Sequence, residues 1–66
     1  MYSNLLAEIA RNRLTQSALA ELAGIRNSTF AFKMKQKDRF TLKQAFDIKK
    51  ALNIDMPLEE LFHWVD

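Results

Sequence analysis

The apolar residues of the chain recur at intervals of three and four, the spacing that keeps side chains on one face of an α-helix, and not at the two-residue interval of a strand. Leu5, Leu6, Ile9 and Ala10 form a first stripe. Ser3 precedes it and is placed to cap a first helix by accepting from the free N–H groups of its opening turn. A second helix is predicted over Gln16–Ala23, capped by Thr15, with Leu19, Leu22 and Ala23 inward. It stops at Gly24, the residue that takes the left-handed conformation without a Cβ clash. A third helix follows over about 27–35. Thr41-Leu42-Lys43-Gln44 has the form of a capping box, in which hydroxyl and amide side chains satisfy each other's backbone N–H groups. It opens a fourth helix with Leu42, Ala45, Ile48 and Leu52 inward and Asn53 as its stop. Pro57 suits the first position of a fifth helix, where no N–H is needed. Glu59 and Glu60 then lie near that helix's positive end, and Leu58, Leu61 and Phe62 form its apolar side.

The pattern predicts an all-α domain of five short helices over residues 1–66, with no internal repeat or linker. Its 66 residues set one core and little more, because so small a domain buries only about 60% of its unfolded surface. The absence of cysteine rules out disulfide and thiolate metal sites and fits a reducing, cytoplasmic setting. Met1-Tyr2-Ser3-Asn4 begins no signal peptide, and no apolar run approaches the about 20 residues of a membrane span.

Charge changes the picture more than composition does. The net charge of +2 hides a polarised chain. Residues 1–25 balance Arg11 and Arg13 against Glu8 and Glu21. Residues 26–50 set Arg26, Lys33, Lys35, Lys37, Arg39, Lys43, Lys49 and Lys50 against Asp38 and Asp47, a net of +6. Residues 51–66 carry Asp55, Glu59, Glu60 and Asp66 and no Lys or Arg, a net of −4. Such a basic block is the footprint of an anion-facing side, although an unevenly solvated surface has the same composition.

The block surrounds the most informative stretch, Gln16–Phe30. Two helices are joined there by a tight turn. Ala20 is small where a crossing helix comes closest, Ile25 follows Gly24 to plug the core, and Phe30 buries against Leu19. Phe30 and Phe32 lie about 200° apart on the third helix and cannot face one core. Asn27, Ser28, Ala31 and Phe32 fall on the outer side. A helix of this kind fits the major groove of DNA with its N-terminal residues at the base edges.

"LTQSALAELAGI" (Leu14–Ile25) resembles the helix-turn-helix of the phage Cro and lambda-repressor-like family, the XRE-type regulators. "FTLKQAFDIKKALNIDMPLEELF" (Phe40–Phe62) is similar to that family's fourth and fifth helices, so the resemblance covers roughly residues 4–62. It implies a five-helix lambda-repressor-like fold and sequence-specific binding of double-stranded DNA by a small Cro-like regulator or repressor of phage or prophage kind. It also implies site residues. Arg26, Asn27, Ser28, Ala31 and Phe32 would contact bases, with Asn suited to adenine and an aromatic ring to a thymine methyl. Thr15, Gln16, Lys35, Lys37, Arg39 and Lys43 would contact phosphates. The chain departs from the family in three places. Arg26 stands where many members have a capping Ser or Thr, which leaves Asn27 as the alternative cap. Lys33-Met34-Lys35-Gln36 replaces a common Trp-Glu-x-Gly run. Ile9 and Met34 stand where a buried Glu–Arg pair often joins the first and third helices, so an apolar contact is expected in its place.

Other readings stay open on the sequence. Phe32 is free to read DNA, to pack under the lysine-rich connection or to meet a second subunit. Phe62, Trp64 and Val65 either close the core or form a homodimer contact on DNA. An antitoxin or accessory protein that binds a protein partner through Phe32 or Trp64 is the alternative function. An enzyme has no supporting constellation: His63 is the only histidine and lacks a second ligand or a nucleophile, and adjacent Glu59 and Glu60 point to different sides of a helix. No cofactor, metal or small-molecule substrate is expected.

Overall fold

The computed structural model describes residues 1–66, folded as five α-helices with no strand: α1 Ser3–Arg11, α2 Gln16–Ala23, α3 Asn27–Met34, α4 Leu42–Leu52 and α5 Leu58–Leu61. α2 is central, packing on both α3 and α4, while α5 closes against α4 and α1. None of the helices is long and apolar enough to cross a membrane.

Local chemistry sets most helix ends. Thr15 Oγ1 accepts from the Ala18 N–H at 3.0 Å and starts α2. Gly24, at φ 72°, ends it in a Schellman closure, with Ile25 N–H donating to Ala20 O and Gly24 N–H to Glu21 O. Thr41 and Gln44 form the expected capping box, and Asn53 ends α4 in the left-handed region at φ 54°. α1 ends in the same closure as α2, with Leu14 N–H on Ile9 O and Arg13 N–H on Ala10 O. There the left-handed residue is Arg13, at φ 56°, a conformation that costs a residue with a Cβ about 1–2 kcal/mol.

Two expected ends shift. Ser3 does not cap α1: it is the helix's first residue, and Tyr2 precedes it with no side-chain cap. The Tyr2 carbonyl already accepts from Leu6 N–H, so the helix begins one residue before Ser3 can act. Pro57 stands just outside α5, where its carbonyl accepts from Glu60 and Leu61 N–H groups.

The core comprises Tyr2, Leu5, Ile9, Leu19, Ala20, Phe30, Met34, Ile48, Leu52 and Leu61. Ile9 and Met34 both lie in it. Ala10 of the first stripe is exposed, and two leucines expected inward point outward. Leu22 is 62% exposed and Leu42 is 69% exposed. On α2 the buried strip runs through Leu19, Ala23 and Ala20, and Leu22 lies about 60° beyond it. On α4 the strip is Ala45, Ile48 and Leu52, and Leu42 sits about 60° or more to one side.

The seven aromatic residues of the chain divide sharply. Tyr2, Phe30, Phe40, Phe62 and Trp64 form one cluster of tilted and edge-on pairs with ring centroids 4.9–5.8 Å apart. Phe32 and Phe46 are left outside it, both exposed. Tyr2 is the cluster's hub at 2% exposure. Its hydroxyl donates to Gln36 O at 2.8 Å and accepts from Asp38 N–H at 3.0 Å, which ties the α3–α4 connection to the core. Tyr2→Phe keeps the ring and removes both bonds, leaving part-buried partners unpaired. It is expected to lower stability by about 1–2 kcal/mol, or about 5–15 °C in Tm for a domain this small. Thermal unfolding followed by circular dichroism checks this, and an unchanged Tm would show that water replaces both bonds.

The C-terminal segment completes the same cluster. Val65 N–H donates to Met1 O at 2.9 Å, and the Met1 ammonium donates to Val65 O. Phe62 and Trp64 are half-buried against Tyr2. Of the residues with two roles open on the sequence, Phe62 and Trp64 pack against the core cluster. Only Val65 remains exposed.

Candidate nucleic-acid interface

α3 has a buried back and an exposed front. Phe30, fully buried, and Met34 anchor the back. Ser28, Phe32 and Lys35 follow at i, i+4 and i+7 along the front, all exposed. Phe32 is 62% exposed, as its separation of about 200° from Phe30 requires. Ala31, expected on the outer side, is half-buried. It lines a shallow depression with Gln16, Met34 and Lys35, where the start of α2 meets the end of α3.

The start of α3 differs from the expectation that Asn27 caps it. Arg26 occupies the cap position with no side-chain bond, and Asn27 is the first helical residue. Asn27 does not cap. Its Nδ2 donates to Ser17 Oγ at 3.0 Å, joining the first turns of α2 and α3. The N–H groups opening α3 thus lack a side-chain cap, and Arg26, Asn27 and Ser28 around them are exposed.

The expected phosphate contacts fall into three groups. Thr15 and Gln16 are exposed at the N-terminal end of α2, with Lys35 beside Gln16 across the depression. Lys37 and Arg39 are exposed on the α3–α4 connection. Tyr2 grips that connection at Gln36 and Asp38, on either side of Lys37, and Asp38 turns it at φ 58°. Lys43 lies apart from these. Its Nζ donates to Asp47 at 2.8 Å, and it flanks the other end of α2 with Lys50, Leu22 and Gly24. α2 spans about 12 Å, so cations stand at both of its ends.

Four residues outside the sequence-derived set shape this surface. Ser17 holds Asn27. Tyr2 holds the basic connection. Gln44 completes the cap of α4 and also accepts from Lys33 Nζ at 2.7 Å, bracing α3 against α4. Lys50 adds a second cation beside Lys43. Gln44 was visible as part of the capping box. Lys50 was visible only as one charge of the basic block, and Ser17 and Tyr2 act through partners distant in sequence.

No family model, no curated protein and no solved structure matches this chain.

Proposed function

We propose that the chain is a sequence-specific reader of duplex DNA that acts as a small transcriptional regulator. In this reading α2 and α3 form a helix-turn-helix of the Cro and lambda-repressor-like kind, and α3 enters the major groove. The carrying observation is the division of α3 into a back locked in the core and a front of Ser28, Phe32 and Lys35, with cations flanking both ends of α2. Ser28 and Phe32 supply hydrogen bonding and apolar contact to base edges. Arg26 and Asn27 reach the groove from the helix start. Thr15, Gln16, Lys35, Lys37, Arg39 and Lys43 hold the backbone, helped by the uncapped N–H groups of α3.

The test is selection of a preferred duplex from a random pool, followed by comparison of that duplex with random DNA. Ser28→Ala and Phe32→Ala are each expected to weaken the selected site by about 1–3 kcal/mol and to leave random DNA unaffected. Equal losses on both duplexes would remove α3 from base reading. Asn27→Ala also frees Ser17, so Ser17→Ala is its control: a base-reading Asn27 loses more on the selected site than Ser17→Ala does. The exposed Phe32 ring supports one rival, a protein partner docked on α3. No binding to any duplex between about 50 and 200 mM salt, with one protein still recovered after nuclease treatment, would favour that rival.

A further inference from the structure

We propose that the outer face of α4 is a contact between two copies of this chain, paired antiparallel about a two-fold axis. Leu42 and Phe46 are i, i+4 neighbours on α4, 69% and 54% exposed. Phe46 is one of only two aromatic residues left out of the core cluster, and the other, Phe32, belongs to the α3 surface. Aromatic residues set outside a core are enriched at protein interfaces.

The ends of this face carry opposite charge. Around Leu42, at the N-terminal end of α4, lie Asp38, Leu58 and Glu59. Around Phe46, toward the C-terminal end, lie Lys49, Lys50 and Ile54, with Asp47 at the edge held by Lys43. An apolar centre that is acidic at one end and basic at the other is complementary to itself once turned through 180°. That is the condition for an isologous contact, in which the same patch serves both partners. Antiparallel pairing sets Leu42 of one copy against Phe46 of the other. It also brings Lys49 and Lys50 of each to the other's Asp38 and Glu59. A parallel pairing would oppose like charges at both ends, so the occupant favoured by the charge pattern is a second copy in the antiparallel sense.

The contact leaves α3 uncovered. Gln44 faces α3, since it accepts from Lys33, and it lies about 160–200° around α4 from Leu42 and Phe46. Self-association on this face therefore leaves the front of α3 open, shares Lys50 and the Asp38 connection with the surface assigned to DNA, and requires no DNA.

Sedimentation equilibrium of the DNA-free protein tests the proposal. The apparent mass is expected to rise from 7.7 kDa toward twice that value between about 10 µM and 1 mM, the weak association a small patch supports. Phe46→Glu is expected to weaken association at least tenfold while keeping the native circular dichroism and melting curve. Leu42→Ser supplies the same test if Phe46→Glu perturbs folding. Lys49→Glu alone and Glu59→Lys alone are each expected to weaken association about fivefold, and the double variant to restore it. A wild-type protein that stays monomeric at about 1 mM overturns the proposal. So does a dimer indifferent to Phe46→Glu and Leu42→Ser, which would place the contact at Phe32 or Val65. Failure of the double variant to recover overturns the antiparallel pairing.

Discussion

Phe30→Ala is expected to leave most of the protein unfolded at 25 °C. Phe30 is fully buried, packs edge-on against Phe40 at 5.6 Å, and carries the whole back of α3 with Met34. Truncating a buried Phe costs about 3–5 kcal/mol, combining the lost transfer energy with the cavity left behind. A chain of this size has about 3–10 kcal/mol of total stability, and no disulfide supplements it. The loss is thus comparable to the whole. Urea titration of the wild type and thermal circular dichroism of the variant measure it. Phe32→Ala, two residues away on the same helix, is expected to change stability by less than about 0.5 kcal/mol, because its ring touches mainly solvent. A Phe30→Ala loss below about 1 kcal/mol would mean that α3 is not anchored by its back, and the exposed front would lose its rigid base.

The combined variant Lys35→Ala/Lys37→Ala/Arg39→Ala is expected to have the largest effect on DNA binding. Each phosphate contact contributes about 0.9 to the slope of log affinity against log salt, so removing these cations should flatten that slope by about two to three units. Affinity should fall by similar factors on selected and random DNA, because phosphates carry no sequence. Titrations at several salt concentrations give the answer. An unchanged slope in the combined variant would assign the basic connection to solvation and not to nucleic acid. The Tyr2 clamp links this result to the fold: with Gln36 and Asp38 held against the core, Lys37 and Arg39 project from a connection that has little freedom to lose on binding.

What could be read from the sequence alone was whatever depends on neighbours along the chain. The cap at Thr15, the left-handed stop at Gly24, the capping box of Thr41 and Gln44 and the stop at Asn53 each close within a few residues. That Phe30 and Phe32 cannot face one core also followed from local geometry, because a two-residue step on a helix is about 200°. The polarised charge was a matter of counting.

The rest depended on where other helices lie. Leu22 and Leu42 fit an apolar stripe as well as Leu19 and Ile48 do, but a helix buries only the sector its neighbours cover, and those two fall at its margin. Asn27 is a good cap by residue type and is drawn instead to Ser17, ten residues back. Arg13 and Asp38 take left-handed conformations that glycine would be expected to fill, Arg13 within the closure of α1 and Asp38 with its N–H on the Tyr2 hydroxyl. Tyr2 forms no motif, yet its ring joins Phe40, Phe62 and Trp64 and its hydroxyl fixes a connection 34–36 residues away. Sequence spacing thus determined which segments are helical and where most of them stop, since those choices are made by hydrogen bonds within a turn. Only the tertiary packing decided which apolar residues stay outside, and so left Phe32 and Phe46 on two separate surfaces, because burial is settled by partners that spacing does not name.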